Sequence, residues 1–352
     1  HFSTSFGSYR KQMVQAISEE ISDRKNELNN PLRSIYFGGG TPSLLNKQEL
    51  SILLDSVYKN FSVCDGIELT LEANPENVSF QNAYDWKTLG FNRLSIGLQS
   101  FKKEDLAWMN RNHSLEEGFS SVEKVKEVGF KNISVDLMYG LPDLSTQEWR
   151  SFLEKVTSMD VQHLSAYCLT IEDKTKLKQD VKKGKIIPPP EARQAEQFEV
   201  LASFLKNRGY EQYEVSNFAK NKCYSQHNSS YWRGVSFLGV GPSAHSFDGK
   251  KRRWNVANNK TYLLRKEKDW YTEEVLSCNE KWNELFLTGL RTMWGVSQKQ
   301  INRLGGFISS EKQHLISFVN QGLIIENKKG YVLTDKGMLF ADGIAQAFFR
   351  VS

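Results

Sequence analysis

Residues able to hold a polar ligand recur at the ends of what read as strands: Gly39 within Gly38-Gly39-Gly40-Thr41-Pro42, then Glu72, Gln99 and Asp136. Three consecutive glycines let a ligand reach the main chain without Cβ clashes and aim amide N–H groups at a carboxylate or phosphate. Glu72 and Asp136 are acceptors suited to an ammonium group or to ribose hydroxyls. Arg111, in the helical connection after Gln99, can clamp a carboxylate through two parallel donors. Each feature alone has a plainer explanation: a glycine run makes a tight turn, and a strand-end Asp caps the next helix. Together they describe a pocket for one ligand carrying carboxylate, amine and hydroxyls.

Such a set needs a repeating framework to position it. Residues 8–29 carry Tyr9, Met13, Ala16, Ile17, Ile21 and Leu28 at helical spacing, and Asn30-Pro31 stops them. The segments 35–37, 67–71, 93–98, 133–138 and 163–169 read as strands, with helical segments at 47–59, 114–128, 145–158 and 191–207. Tyr213-Glu214-Val215 is a sixth, shorter strand. Strands alternating with helices form a parallel sheet, and right-handed crossovers curl it into a barrel or part-barrel. Such barrels keep their ligands at the C-terminal rim of the strands, where the unusual residues fall.

Beyond residue 220 the rhythm breaks into aromatic, Gly and Ser-rich sequence, then a basic run at Lys250–Arg253. From about 272 the order is helix, helix and a small hairpin turning at Lys328-Lys329-Gly330, the pattern of a winged-helix module. No basic recognition helix is evident, so the module reads as structural or protein-docking, with no nucleic acid partner. The basic stretch Lys174–Lys185 reads as a solvated loop or helix face.

Composition bounds the function. The 352 residues are 39% hydrophobic and 25% charged, as in an ordinary globular protein. The net charge of +5 is too small to argue for a nucleic acid. No apolar run is long enough to span a membrane. Cys64, Cys168, Cys223 and Cys278 are far apart, which excludes a local metal knuckle and gives no disulfide framework. A reducing, cytoplasmic setting is expected.

The strings FGGGTPS (37–43), LEANPE (71–76), NRLSIGLQSF (92–101), NRNH (110–113) and VDLMYGLP (135–142) resemble the radical S-adenosylmethionine (SAM) proteins of the oxygen-independent coproporphyrinogen oxidase group. The resemblance covers nearly the whole chain. It implies a partial (β/α)6 radical SAM barrel over 1–220, a linker region over 221–270 and a C-terminal winged-helix-like domain over 271–352. It implies that Gly39, Gly40, Thr41, Glu72, Gln99, Arg111 and Asp136 bind SAM, with Thr170 nearby. It also implies a [4Fe–4S] cluster held by a CxxxCxxC string. The sequence opens at His1-Phe2-Ser3-Thr4-Ser5, where residues just after that string would lie, so the cluster cysteines and the first strand are expected upstream of His1. None of the four cysteines present can replace them by spacing.

Within the group, His227-Asn228-Ser229-Ser230-Tyr231-Trp232 resembles the HNxxYW motif of the heme chaperone branch, the HemW family, as do GVGPSAHSF (239–247), RWNVANN (253–259) and GLRTMWGV (289–296). A neutral His beside Tyr and Trp suits an axial iron ligand flanked by aromatic faces for a flat macrocycle. The plainer reading is a packed aromatic loop around one hydrogen-bonded His. His245 is a second, weaker candidate. The resemblance therefore implies a cytoplasmic heme chaperone using a cluster, SAM and heme, with a hemoprotein as acceptor and a homodimer left open. The alternative is radical decarboxylation of coproporphyrinogen III.

Overall fold

The computed structural model describes residues 9–173, 175–265 and 269–351. Strands β1 (Leu32–Phe37), β2 (Val63–Ala73), β3 (Arg93–Gln99), β4 (Asn132–Tyr139), β5 (His163–Cys168), β6 (Glu211–Glu214) and β7 (Asn217–Ala219) form one sheet in the order β1-β2-β3-β4-β5-β7-β6. Helices Lys47–Asn60, Phe80–Thr88, Leu115–Glu127, Thr146–Ser158 and Glu191–Asn207 lie between successive strands, the alternation expected of a partial barrel. β3 pairs parallel to β4, and β4 to β5.

The sixth strand expected at 213–215 begins at Glu211 and does not lie beside β5. Between them sits β7, antiparallel to both. The chain reverses because Glu214 Oε1 accepts from Ser216 N at 3.1 Å and from the Asn217 side-chain amide, pinning a tight turn. Three residues of strand carry too little alternation to be legible beforehand.

The chain divides into two compact units. One comprises the chain up to Thr70, Thr88–Phe91 and the chain from Ser225; the other comprises Leu71–Lys87 and Asn92–Tyr224. In the second unit, β3 to β5 have one apolar face made by Leu94, Ile96, Leu98, Ile133, Val135, Leu137, Leu164 and Ala166, all almost wholly buried. Helices cover that face closely: a Cβ on Gly118 would lie 3.2 Å from Leu98 Cδ2, so glycine allows the approach. Capping boxes Ser114/Glu117 and Ser145/Glu148 start the two covering helices by satisfying their first amides. The helix Lys176–Lys182, within the basic stretch, buries no residue.

In the first unit, the helix Arg10–Asp23 ends six residues short of the helical segment read over 8–29. Arg24 is drawn inward there, with its guanidinium on Glu20 at 2.8 Å, Glu27 at 2.7 Å and the Gly239 carbonyl at 2.8 Å. Tertiary pairing overrides helical propensity at this point. β8 (His245–Phe247), β9 (Lys251–Asn255) and β10 (Tyr271–Val275) make an antiparallel sheet. The tail carries helix Cys278–Gly289, β11 (Val296–Ser297), helices Gln298–Arg303 and Ser309–Asn320, and the hairpin β12 (Ile324–Asn327) and β13 (Gly330–Leu333). This is the helix–helix–wing order read from sequence. Phe286 stacks on Phe348 with centroids 4.6 Å apart, and Arg350 lies 3.5 Å over Trp282 while pairing with Glu311. Among the described residues no helix is long and apolar enough to cross a membrane.

Candidate functional site

The second face of β3 to β5 is polar, which a soluble core tolerates only where its groups are paired or hold a ligand. Near its C-terminal end Asp136 accepts from Ser95 Oγ, 3.1 and 3.2 Å from its two oxygens. Burial lifts the Asp136 carboxyl to about 6; Ser165, Ser95 and Arg93 oppose that, while the charge of Glu72 adds to it. Glu72 and Asp136 therefore share one acidic locus, one at the end of β2 and one on β4.

Gln99 ends β3 with φ of +67°, a left-handed conformation that non-glycine residues adopt rarely and mostly under functional constraint. The pairing of β3 with β4 slips at that point. Its side chain folds back over Gly97, where a Cβ would meet Gln99 Nε2 at 2.8 Å and Arg111 Nη1 at 3.9 Å. Arg111 Nη1 donates to Asn74 Oδ1 at 3.0 Å, which ties it to the LEANPE turn. Two residues on, buried His113 donates from Nε2 to the Leu98 carbonyl at 3.2 Å, clipping the NRNH segment to the end of β3. Glu72, Gln99 and Asp136 thus stand on neighbouring strands of one unit, with Arg111 tied in from the connection after β3. Thr170 is exposed just beyond β5, with its hydroxyl 3.4 Å from the Cys168 carbonyl.

Gly39 and Gly40 lie in the other unit, after β1, at φ of +74° and +58°. Nothing lies within 4 Å of a Cβ built on Gly39, so there is open space where a side chain would stand. Thr41 precedes the short turn Pro42–Leu44. The glycine turn can offer amide donors and, separately, the carboxylate pair offers acceptors and the tethered guanidinium a cation, the partners that a ligand with carboxylate, amine and hydroxyls would take.

His227 sits on the helix Gln226–Trp232. Its ring stacks on Tyr36 of β1 with centroids 4.4 Å apart and planes at 15°, and Tyr231 meets it edge-on at 4.7 Å. Nδ1 lies 3.3 Å from Ser34 Oγ. Below it, buried Glu68 accepts from the main-chain N–H groups of Gln226 at 2.9 Å and His227 at 3.0 Å. Tyr231 continues the aromatic contact to Phe237 at 4.5 Å. Trp232 has the Arg291 guanidinium 5.5 Å from its ring. His245 is exposed and stacks on Trp254 at 6.4 Å.

Sequence reading missed Asn74, Ser95 and Glu68, which hold Arg111, Asp136 and the His227 helix. A signal was present for Ser95: Arg93, Ser95, Gly97 and Gln99 are the non-apolar members of a period-2 strand. Among the described residues no three His, Cys, Asp or Glu side chains are arranged to hold a metal, and the four thiols are free. No cluster ligand is assigned to them.

A model of the radical SAM superfamily matches residues 2–156. The heme chaperone HemW of Bacillus subtilis (strain 168) is 34% identical over 348 residues, spanning 96% of this chain and 91% of that protein. The heme chaperone HemW of Lactococcus lactis subsp. lactis is 31% identical, over 95% of this chain and 88% of its own length. Among solved structures, coproporphyrinogen III oxidase (HemN) of Escherichia coli superposes with a TM-score of 0.82 at 22% identity, covering 97% of this chain and 84% of its own.

Proposed function

Because this chain belongs to the radical SAM superfamily and, within it, to the heme chaperone HemW family, we propose that it binds heme and delivers it to hemoproteins in the cytoplasm. The observation that carries this reading is the setting of His227: one ring face lies on Tyr36, one edge meets Tyr231, and Ser34 holds Nδ1. With Nδ1 engaged, iron ligation runs through Nε2, and a second group that fixes the imidazole is how ligating histidines are usually oriented. Tyr231 supplies an apolar face for the macrocycle, and Trp232 completes the motif.

Membership of the superfamily implies SAM and a [4Fe–4S] cluster. We assign the methionine part of SAM to Gly39, Gly40 and Thr41. Glu72 and Asp136 take its ammonium or ribose hydroxyls, Arg111 its carboxylate, and Gln99 and Thr170 border it. Bound SAM supplies an electrophilic sulfonium; this chain's residues bind and orient it. We take 1–220 as the SAM-binding part, 221–270 as the heme-motif region and 271–352 as a docking tail.

Radical decarboxylation of coproporphyrinogen III is the second reading, favoured by no specific observation: the likeness to the solved oxidase is one of fold. Heme titration followed in the Soret band tests the proposal. The reconstituted protein should saturate at one heme per chain, and His227→Ala should weaken binding by roughly tenfold or more. Unchanged affinity in that variant removes His227 from the site.

A further inference from the structure

Beneath Asp136 the polar face continues as a ladder. Ser95 stands opposite Ser134, which stands opposite His163; one level up, Gly97, Asp136 and Ser165 are in register. Residues in register on parallel strands share a face, so these side chains line one side of the sheet. His163, Ser134 and Tyr213 have no exposed surface and Ser165 almost none. They are hydrogen-bonded in sequence: Tyr213 Oη to His163 Nε2 at 2.8 Å, His163 Nδ1 to Ser134 Oγ at 2.7 Å, and Ser134 Oγ to Ser165 Oγ at 3.4 Å. Ser165 stands in register beside Asp136 on the neighbouring strand, and its hydroxyl favours the charged form of that carboxyl.

The proton count gives this chain a direction. Burial, with the Arg93 guanidinium nearby, holds His163 well below the usual imidazole range, so its ring carries one N–H. Four links join Tyr213, His163, Ser134, Ser165 and Asp136, and the first four groups hold one proton each. An ionised Asp136 only accepts. Ser165 must then donate to Asp136, Ser134 to Ser165, His163 Nδ1–H to Ser134, and Tyr213 to Nε2. A neutral Asp136 able to donate to Ser165 would reverse the order and place the ring proton on Nε2.

We propose that Tyr213, His163, Ser134 and Ser165 form a positioning chain that holds Asp136 ionised, and aimed, for its ligand. It rests on the assignment of Asp136 to SAM binding. His163 touches no ligand; it acts through two serines on a carboxylate at the rim. An apolar core would fill this space at no desolvation cost, whereas a half-satisfied polar network is worse than none. This one runs unbroken from Tyr213 to Ser165 and reaches, in register, a carboxylate at the rim that burial makes hard to ionise.

The groups facing Asp136 are Glu72 from β2, Arg93 and Ser95 from β3, and Ser165 and Tyr167 from β5. Glu72 disfavours a second charge; Arg93 and the two serine hydroxyls favour it. Removing a donor therefore raises the pH at which Asp136 ionises and shifts SAM binding to higher pH.

The test is the pH profile of SAM affinity, by calorimetry on the cluster-reconstituted protein, with ¹⁵N spectra of its histidines. Wild-type binding should strengthen as pH rises through about 6 and then level off. His163→Leu and Ser165→Ala should move that midpoint up by about half to one pH unit, a loss of roughly three- to tenfold near the midpoint. His163→Asn, whose amide can still donate toward Ser134, should restore it. Asp136→Asn should abolish the dependence. The spectra, independent of SAM, should show His163 as the Nδ1–H tautomer at pH 8. An Nε2–H tautomer there, or a His163→Leu protein that melts earlier with the midpoint unmoved, overturns the positioning chain. A flat wild-type profile unaffected by Asp136→Asn instead overturns the assignment of Asp136 to SAM.

Discussion

His227 and Tyr36 stack at 4.4 Å with their planes only 15° apart, on two segments separated by most of the chain. The contact joins the end of β1, where the glycine turn begins, to the HNxxYW helix. Ser34, two residues before Tyr36 and on the same side of β1, engages Nδ1 of the same ring. Ser34→Ala should therefore loosen the imidazole without removing it. We expect heme affinity to fall several-fold, less than for His227→Ala, with the Soret maximum unchanged because the ligand is retained. A Soret titration of both variants checks the ordering.

Glu68 closes the amino end of the same helix, accepting from two main-chain amides while itself only 4% exposed. A carboxylate at that position satisfies orphan donors and complements the helix dipole. Glu68→Gln should lower stability by about 1–2 kcal/mol in urea unfolding. It should weaken heme binding as well, since the His227 amide is one of the two donors.

Asp136 trades stability for binding. Its carboxyl titrates near 6 when folded against an ordinary value of 3.8, so the unfolded chain gives up that proton first. Stability therefore falls as pH rises from about 4 to 6 and stays lower above; below both values the penalty is absent. Asp136→Asn should stabilise the SAM-free protein by up to about 3 kcal/mol at pH 7.5, a gain that vanishes below about pH 4. Urea unfolding across that range measures it.

Glu20 lies at the centre of a buried polar cluster. Arg24 pairs with it at 2.8 Å, and it accepts from Tyr262 Oη at 2.5 Å, Asn255 at 2.9 Å and the Gly241 amide at 2.8 Å. Arg24→Met leaves that carboxylate without its cation and should cost about 3–5 kcal/mol. Replacing Glu20 and Arg24 together by apolar residues should cost less than the single change, and a double-mutant cycle reads the difference.

The legible parts of this molecule were those with a local chemical signature. Gly39, Glu72, Gln99 and Asp136 stood out because glycine runs and polar residues interrupt otherwise apolar strands at their ends. A helix such as 145–158 was legible as a segment between strands, and the structure adds the capping box of Ser145 and Glu148 at its start. What escaped depends on distance in sequence. Glu68 meets the His227 helix from far along the chain, Arg24 is pulled from its helix by a carbonyl at Gly239, and β7 is too short for any period. The Ser134–His163–Tyr213 ladder lay between these cases. Its alternation is visible in each strand, and only the register between strands shows that the polar residues meet.

Transfer of heme tests the central claim most directly. The reconstituted, heme-loaded protein is mixed with an apo-hemoprotein, the Soret band of the acceptor is followed, and parallel samples receive coproporphyrinogen III. Heme should pass to the acceptor from the wild type and not from His227→Ala, with coproporphyrinogen III left intact. Consumption of coproporphyrinogen III with release of CO₂, and no heme reaching the acceptor, would contradict the account.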